Sequence, residues 1–312
     1  MTTQTLPTIE RKITFQSGSV TLEGTLLLPG AERKYPVVLL LPGSGQVDRD
    51  ENTQKLTINV MREIAGRLAS LGIATLRYDK RGVGASQGDY WTTGFLDRVN
   101  DAAAALAWLK SEDQIQPTKV FLLGHSEGSG ISARLAGSGA EVAGVILLAG
   151  WARPSQEMLV WQAEQVVPGM RGINAWLIKT LHINIRKIQT KQYEKIKRSK
   201  KDMFRQLYVK VNAKWLREFL SYNPAEYLKN VHVPVLAITG SKDIQVNPAD
   251  LKLMAELVQG EFEGHEIPDL THLLRTDPGQ PSLNAYPEQL KRPLDPNVLE
   301  LVSGWLKRQI EK

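Results

Sequence analysis

The chain has 312 residues, of which 42% are hydrophobic and 23% charged, and it contains no cysteine. That length holds one large domain with a sizeable core, or one domain carrying an insertion, and the missing cysteine excludes disulfide frameworks, cysteine-ligated zinc and thiol catalysis. The net charge of +6 is unevenly placed: residues Lys179 to Arg217 hold 13 Lys/Arg against Glu194 and Asp202, while the remainder holds 26 basic and 31 acidic residues.

In chain order, Lys12 to Phe15 and Val20 to Leu28 alternate apolar and polar residues around the turn Ser17-Gly18-Ser19, which predicts an antiparallel hairpin. Short apolar runs follow at Pro36 to Leu41, Ile73 to Tyr78, Val120 to Leu123, Val145 to Ala149 and Val233 to Thr239, with a last strand expected over Phe262 to Ile267. Their Val/Leu/Ile content, apolar on both faces, is that of buried parallel strands. Helical spacing lies between them over Lys55 to Ser70, Thr93 to Lys110 and Glu127 to Ala136, and a closing helix runs from about Asn297 to Gln309 behind Asp295-Pro296. The alternation implies an α/β fold: a mostly parallel twisted sheet with helices on both faces and a leading antiparallel hairpin. The rhythm breaks between Trp151 and about Tyr222, where no strand run is visible and where four of the seven tryptophans fall (Trp151, Trp161, Trp176, Trp215). Helical spacing over Ile173 to Ile185 and Phe204 to Leu220 predicts a helical insertion. The expected organisation is therefore a core of 1–150 and 223–312 with a helical insertion over 151–222.

The strand Val120 to Leu123 runs into Gly124-His125-Ser126-Glu127-Gly128 and then a helix. This is Gly-x-Ser-x-Gly in the strand–turn–helix setting that exposes a nucleophile at the top of a sheet, at the positive end of a helix. A nucleophilic serine needs a base, and the base an orienting acid, in the chain order Ser, acid, His. Four histidines follow Ser126. His182 lies in the insertion, His232 at the wrong end of a strand and His265 in mid-strand. His272 alone follows a strand's C-terminal end, where catalytic groups collect in open α/β sheets. The acid expected one strand earlier is Asp243 in Gly240-Ser241-Lys242-Asp243; Asp250 falls in the next helix and Asp269 is too close to His272 in sequence. An oxyanion hole would take the backbone N–H of Glu127 and one from the loop Pro42-Gly43-Ser44-Gly45-Gln46. Ser44 is the expected donor there, with Gly45 or Gln46 as neighbouring alternatives.

These residues resemble the α/β-hydrolase superfamily, in particular bacterial serine esterase/peptidase-like hydrolases, over everything but the insertion. The marks are Pro42-Gly43-Ser44-Gly45, Asp48-Arg49-Asp50, Tyr78-Asp79-Lys80-Arg81-Gly82-Val83-Gly84-Ala85-Ser86, the Gly-His-Ser-Glu-Gly elbow, Gly-Ser-Lys-Asp and Thr-His-Leu. The resemblance implies a Ser126–Asp243–His272 triad, no metal and no cofactor, and it makes the insertion a cap over the site. Asp79 and Arg81 would be structural rather than catalytic, and so would Asp48, Arg49 and Asp50, with bracing of the oxyanion loop as their alternative role. Many relatives have His-Gly in that loop where this chain has Pro42-Gly43, which changes how the loop is anchored.

The expected reaction is hydrolysis of carboxylic esters of short to medium acyl chain through an acyl-enzyme; a serine peptidase acting on short peptides and an acyltransferase use the same residues. The intact set speaks against a non-catalytic binding module. The basic run of the insertion, including Lys195, Lys197, Arg198, Lys200 and Lys201, reads as a solvated helix face, as an electrostatic funnel for anions or a membrane surface, or as a nucleic-acid patch, the last disfavoured because no binding motif accompanies it. The tryptophans read as the insertion's own core or as an acyl-pocket wall. The expected partner is a small-molecule ester, not nucleic acid, and a homo-oligomer is left open. Met1 to Glu10 does not read as a signal peptide, and no run reaches the roughly 18 apolar residues of a helical membrane span, so the cytoplasm is the expected compartment, with an earlier-removed signal peptide left open.

Overall fold

The computed structural model of the chain describes residues 8–31, 33–169, 184–206 and 209–312. The leading hairpin is β1 (Ile9–Ser17) and β2 (Val20–Leu28), paired along their full length across Gly18 at φ +60°, a left-handed value that glycine adopts without a Cβ penalty. The apolar runs become β3 (Tyr35–Leu41), β4 (Ala74–Tyr78), β5 (Ile115–His125), β6 (Gly144–Leu148), β9 (Val235–Gly240) and β10 (Phe262–Ile267). They form one eight-stranded sheet in the order β1-β2-β4-β3-β5-β6-β9-β10, parallel from β4 to β10 and antiparallel between β1 and β2 and between β2 and β4.

Burial follows position in the sheet. Every residue of β4, β6 and β9 is buried, as strands covered on both faces require. β1 and β10 sit at the edges; β1 alternates exposed with buried positions over its second half, and β10 buries only Ile267 fully. Helices α1 (Val60–Ala69), α2 (Phe95–Ser111), α3 (Glu127–Gly137) and α10 (Pro296–Glu311) supply the two covering layers. One apolar cluster joins Leu39, Leu122 and Leu147 to Ala102, Leu106 and Ile131; the other joins Val38, Phe121 and Ile146 to Ile64, Leu68 and Trp305. α10 begins where Asp295 accepts the Asn297 N–H at 2.8 Å, with Pro296 in the first turn.

The segment between β6 and β9 departs from its all-helical expectation. It contains α4 (Ser155–Gly169), α5 (Ile185–Arg198), α6 (Ala213–Leu220) and the short α7 (Ala225–Leu228), but also an antiparallel pair, β7 (Met203–Gln206) and β8 (Val209–Asn212). The helix expected from Phe204 therefore starts only at Ala213. The run Phe204 to Val211 mixes apolar residues with Arg205 and Lys210 at a spacing that either period accommodates, and Met203–Gln206 and Val209–Asn212 take the extended form. At Ala213 the Asn212 side chain accepts the Trp215 N–H at 2.8 Å and starts the helix. Trp176, His182 and all but the end of the helix expected over Ile173 to Ile185 lie outside the described residues.

After β9 come α8 (Asp250–Leu257) and, beyond β10, the one-turn α9 (Tyr286–Gln289). Among the described residues no helix is long and apolar enough to cross a membrane.

Candidate active site

The loops after β3, β5, β9 and β10 leave the same C-terminal edge of the parallel sheet, so residues far apart in sequence converge there. Ser126 stands between the end of β5 and the start of α3 with φ +52° and ψ −117°, a strained conformation for a residue with a side chain. Its neighbours explain how that turn is reached. A Cβ on Gly124 would lie 2.1 Å from the Gly128 carbonyl, and one on Gly128 would lie 2.0 Å from the Leu41 oxygen. Both contacts are with backbone, so only glycine fits at these two positions. The Ser126 N–H donates to the Leu148 carbonyl at 2.9 Å, and Ser129 Oγ donates to the Gly124 carbonyl at 2.9 Å, which pins both sides of the turn.

His272 and Asp243 come together as the sequence predicts: His272 Nδ1 lies 2.8 Å from Asp243 Oδ2, and both side chains are buried. Asp243 Oδ1 accepts the Gln245 and Val246 N–H groups at 2.8 and 2.9 Å, so the carboxylate is fixed by backbone on one oxygen and by the imidazole on the other. With Nδ1 engaged, Nε2 is the ring nitrogen free for chemistry. The His272 loop is held by Thr271, whose N–H and hydroxyl both donate to the Arg275 carbonyl, at 3.0 and 2.9 Å.

The competing residues are elsewhere. His232 is exposed ahead of β9, and His265 pairs with Glu263 at 2.9 Å within β10. Asp269 faces Lys242 at 2.8 Å. Asp250 opens α8 and is buried, accepting the Ala152 N–H at 3.0 Å and so fastening the start of the inserted segment.

The loop Pro42 to Gln46 passes over Ser126: a Cβ on Gly43 would lie 3.4 Å from Ser126 Cβ. Its anchors escaped the sequence reading. Glu51 Oε1 accepts the Gly43 N–H at 2.6 Å and lies 2.7 Å from His125 Nδ1, while His125 Nε2 lies 2.9 Å from the His272 carbonyl oxygen. Both ring nitrogens of His125 thus face acceptors. Burial opposes its charge, but the Glu51 carboxylate outweighs that and raises its pKa. One side chain on the elbow therefore ties Glu51, the brace of the loop after β3, to the backbone of His272. Pro42 needs no histidine's help because Glu51 holds Gly43 from the other side.

Glu127 was expected only for its backbone N–H, yet its side chain is buried to 1% exposure and is the hub of a charge cluster. Its oxygens accept from Arg98 Nη1 at 2.7 and 2.8 Å, from Lys80 Nζ at 3.0 Å and from the Trp215 indole N–H. Burial alone would raise its pKa, but Arg98 and Lys80 overcome that and hold it at about 2. Burial conversely pushes Lys80 down to about 8 against the pull of Glu127. No local signal marked this cluster: Lys80 stands between Asp79 and Arg81, and Arg98 next to Asp97, a setting equally suited to a surface. Among the neighbouring charges, Arg49 forks onto Asp79 at 2.6 and 3.1 Å, Asp50 pairs with Arg77 at 2.5 Å and Arg81 with Asp101 at 2.6 Å. These residues brace the loop that follows β3 and the one that follows β4. Ser44 is exposed on the first of them.

The tryptophans divide similarly. Trp151 and Trp215 each pack on Phe219, with ring centroids 5.4 and 4.8 Å apart, and Trp151 also meets Tyr222 edge-on at 6.1 Å. This aromatic seam joins the inserted segment to α2 through Phe95, 5.6 Å from Phe219. Trp161 is only half-buried. Of the basic run, Lys195, Arg198, Lys200 and Lys201 are exposed.

Comparison with known proteins agrees with this architecture. The chain is similar to Est1E from Butyrivibrio proteoclasticus, solved with ferulic acid bound, at a TM-score of 0.66 and 17% identity, over 96% of this chain and 100% of that one. It is similar also to the Pyrococcus furiosus esterase Pf2001, at a TM-score of 0.60 and 17% identity over 96% and 91% of the two chains. Among curated proteins it is 28% identical to the esterase EstD of Thermotoga maritima over 290 residues, covering 91% of this chain but 65% of that protein's length. Residues 56–279 match the family described as serine aminopeptidase, S33. That match spans most of the chain, and with the eight-stranded sheet and its elbow it places the protein in the S33 family on the α/β-hydrolase fold.

Proposed function

We propose that the protein is a serine hydrolase that cleaves carboxylic esters through an acyl-enzyme. The observation that carries the reading is the buried His272–Asp243 pair, 2.8 Å apart, at the same sheet edge as a serine held at φ +52°. The similarity to esterases of bacteria and archaea supports it.

In this mechanism His272 Nε2 takes the Ser126 proton as Oγ attacks the ester carbonyl carbon. The carbonyl π electrons move onto oxygen, and the backbone N–H groups of Glu127 and Ser44 stabilise that oxyanion. Gly43 is not the loop donor in this scheme, because its N–H already serves Glu51. Collapse of the tetrahedral intermediate expels the alcohol, which leaves with the proton from His272. Water then attacks the acyl-enzyme with His272 again as base, releasing the acid and restoring Ser126. Asp243 keeps the Nδ1–H tautomer and stabilises the imidazolium.

The segment 151–222 acts as a cap in this reading. The contacts that support it are Trp215 against Glu127 and Gln162 Nε2 donating to Gln245 Oε1 at 3.2 Å, next to Asp243. An aromatic wall there favours an apolar group on the substrate. The test is a panel of p-nitrophenyl esters from acetate to palmitate run beside aminoacyl-anilides, together with labelling by a fluorophosphonate. Ester turnover with labelling at Ser126 is expected. Turnover of the anilides alone would replace esterase by peptidase, and absence of labelling would remove the nucleophile assignment.

A further inference from the structure

The two amides assigned to the oxyanion hole belong to different parts of the chain, the loop after β3 and the N-terminus of α3. Their relative position has to be set to a fraction of an ångström, because an oxyanion donor acts only at hydrogen-bond distance. Lys80 joins them. Its ammonium donates to the Gly43 carbonyl, lies 3.5 Å from the Gly45 carbonyl and donates to Glu127 Oε2 at 3.0 Å. One ammonium with three hydrogens therefore spans the loop and the residue after Ser126.

The third member comes from the inserted segment. The Trp215 indole donates to Glu127 Oε1, and its ring stacks on Phe219 at 4.8 Å with 17° between planes. The Arg98 guanidinium, which donates to both Glu127 oxygens, lies 5.1 Å over Tyr90 and 5.6 Å over Trp215. Trp215 also borders a groove of about 360 Å³ shared with Gln46 of the oxyanion loop, Tyr90, Trp91 and Lys210. Whatever seats α6 against the core is thus felt, through one indole, at the residue whose backbone faces the reacting carbonyl.

We infer that Lys80, Glu127 and Trp215 form a positioning unit that sets the spacing of the two oxyanion donors and couples the placement of the inserted segment to the catalytic step. The inference rests on the serine-hydrolase reading above. It goes beyond that reading by giving three side chains outside the triad a role in the transition state. A buried charge cluster that served stability alone would act on unfolding and leave turnover per folded molecule unchanged.

Trp215→Phe keeps an aromatic ring that can stack on Phe219, and removes the indole donor together with the second ring. With p-nitrophenyl butyrate it is expected to lower kcat about ten-fold, with KM within two-fold of wild type, as a contact that matters only in the transition state does. Lys80→Met is expected to lower kcat about a hundred-fold. Because both act through Glu127, the double variant should fall less than the product of the two factors. An unchanged kcat in Trp215→Phe overturns the inference. So does a rise in KM alone, which would make the indole a pocket wall, and so does a double variant that multiplies the single effects. Should Lys80→Met fail to fold, the Trp215→Phe split between kcat and KM still decides. Fluorophosphonate labelling of wild type is measured beside these variants. If Ser126 is not labelled and no ester is turned over, the function reading itself falls, and the inference with it; labelling with unaltered variants overturns the inference alone.

Discussion

Every residue of β6 and β9 is buried, whereas α5, 14 residues long, fully buries only Ile196. The two regions face opposite constraints. A strand covered on both faces cannot carry an unpaired charge, because desolvating it costs several kcal/mol. A helix laid on the outside of a domain meets no such penalty on its solvent face. That is why the basic excess sits in the inserted segment: it is where lysine costs nothing. The contrast is not one of core against loose appendage, however. The returning half of the segment is fastened closely. Asn212 Nδ2 donates to the Tyr90 and Thr93 carbonyls at 2.6 and 2.8 Å, Lys214 pairs with Asp97 at 2.7 Å, and Glu218 accepts the Leu96 N–H at 2.8 Å at the start of α2. Chemistry is expected from the core, orientation from the fastened half, and little from the exposed basic face.

The largest effect that would break this division is in the core. Ser126→Ala should lower turnover of short esters by roughly 10³-fold or more while leaving the melting temperature nearly unchanged. Retained activity would move the chemistry elsewhere. Next comes the elbow itself. Gly128→Ala places a methyl 2.0 Å from the Leu41 carbonyl oxygen, a backbone atom that cannot swing away, and should cost about 3 kcal/mol of stability, read as a shift in the urea midpoint.

The charge at Glu127 sharpens the comparison through pH. Its folded pKa of about 2 lies below its ordinary 4.5, so the stability it contributes as a carboxylate is fully present above pH 4.5 and is lost as pH falls towards 2. The melting-temperature gap between wild type and Glu127→Gln should therefore be widest near neutrality and shrink as the buffer is taken down to about pH 3; a constant gap would mean that the carboxylate is not ionised in the folded chain.

At the fastened half, Asn212→Ala removes two bonds to core carbonyls and the cap of α6, and should cost on the order of 1–2 kcal/mol. The smallest effect belongs to the basic face. Neutralising Lys195, Lys197, Arg198, Lys200 and Lys201 together should change stability by less than about 0.5 kcal/mol, since four are exposed and the fifth, Lys197, pairs weakly with Glu194 at 3.5 Å. Comparing anionic with neutral esters on that variant decides whether the charge steers substrate: a lower kcat/KM for anionic esters alone is the signature of a funnel.

The strands, the flanking helices and the pair His272–Asp243 were readable because each announces itself locally. Continuous Val/Leu runs mark buried strands, glycines two residues either side of a central serine mark an elbow, and a histidine just past a strand end has few other places to be. The inserted segment was read less well for the reverse reason. Over Phe204 to Val211 the pattern does not choose between periods, and only the pairing of β7 with β8 shows the extended form on either side.

The sequence by itself determined the fold class and the catalytic candidates Ser126, Asp243 and His272, because backbone periodicity and turn chemistry act over a few residues. Only the tertiary structure decided what the polar residues do for one another. Lys80 meets Glu127 across 47 positions, Glu51 meets His125 across 74, and Trp215 reaches Glu127 across 88. Each of those side chains is acceptable on a surface and costly inside, and its role was settled by the partner that the fold delivered to it.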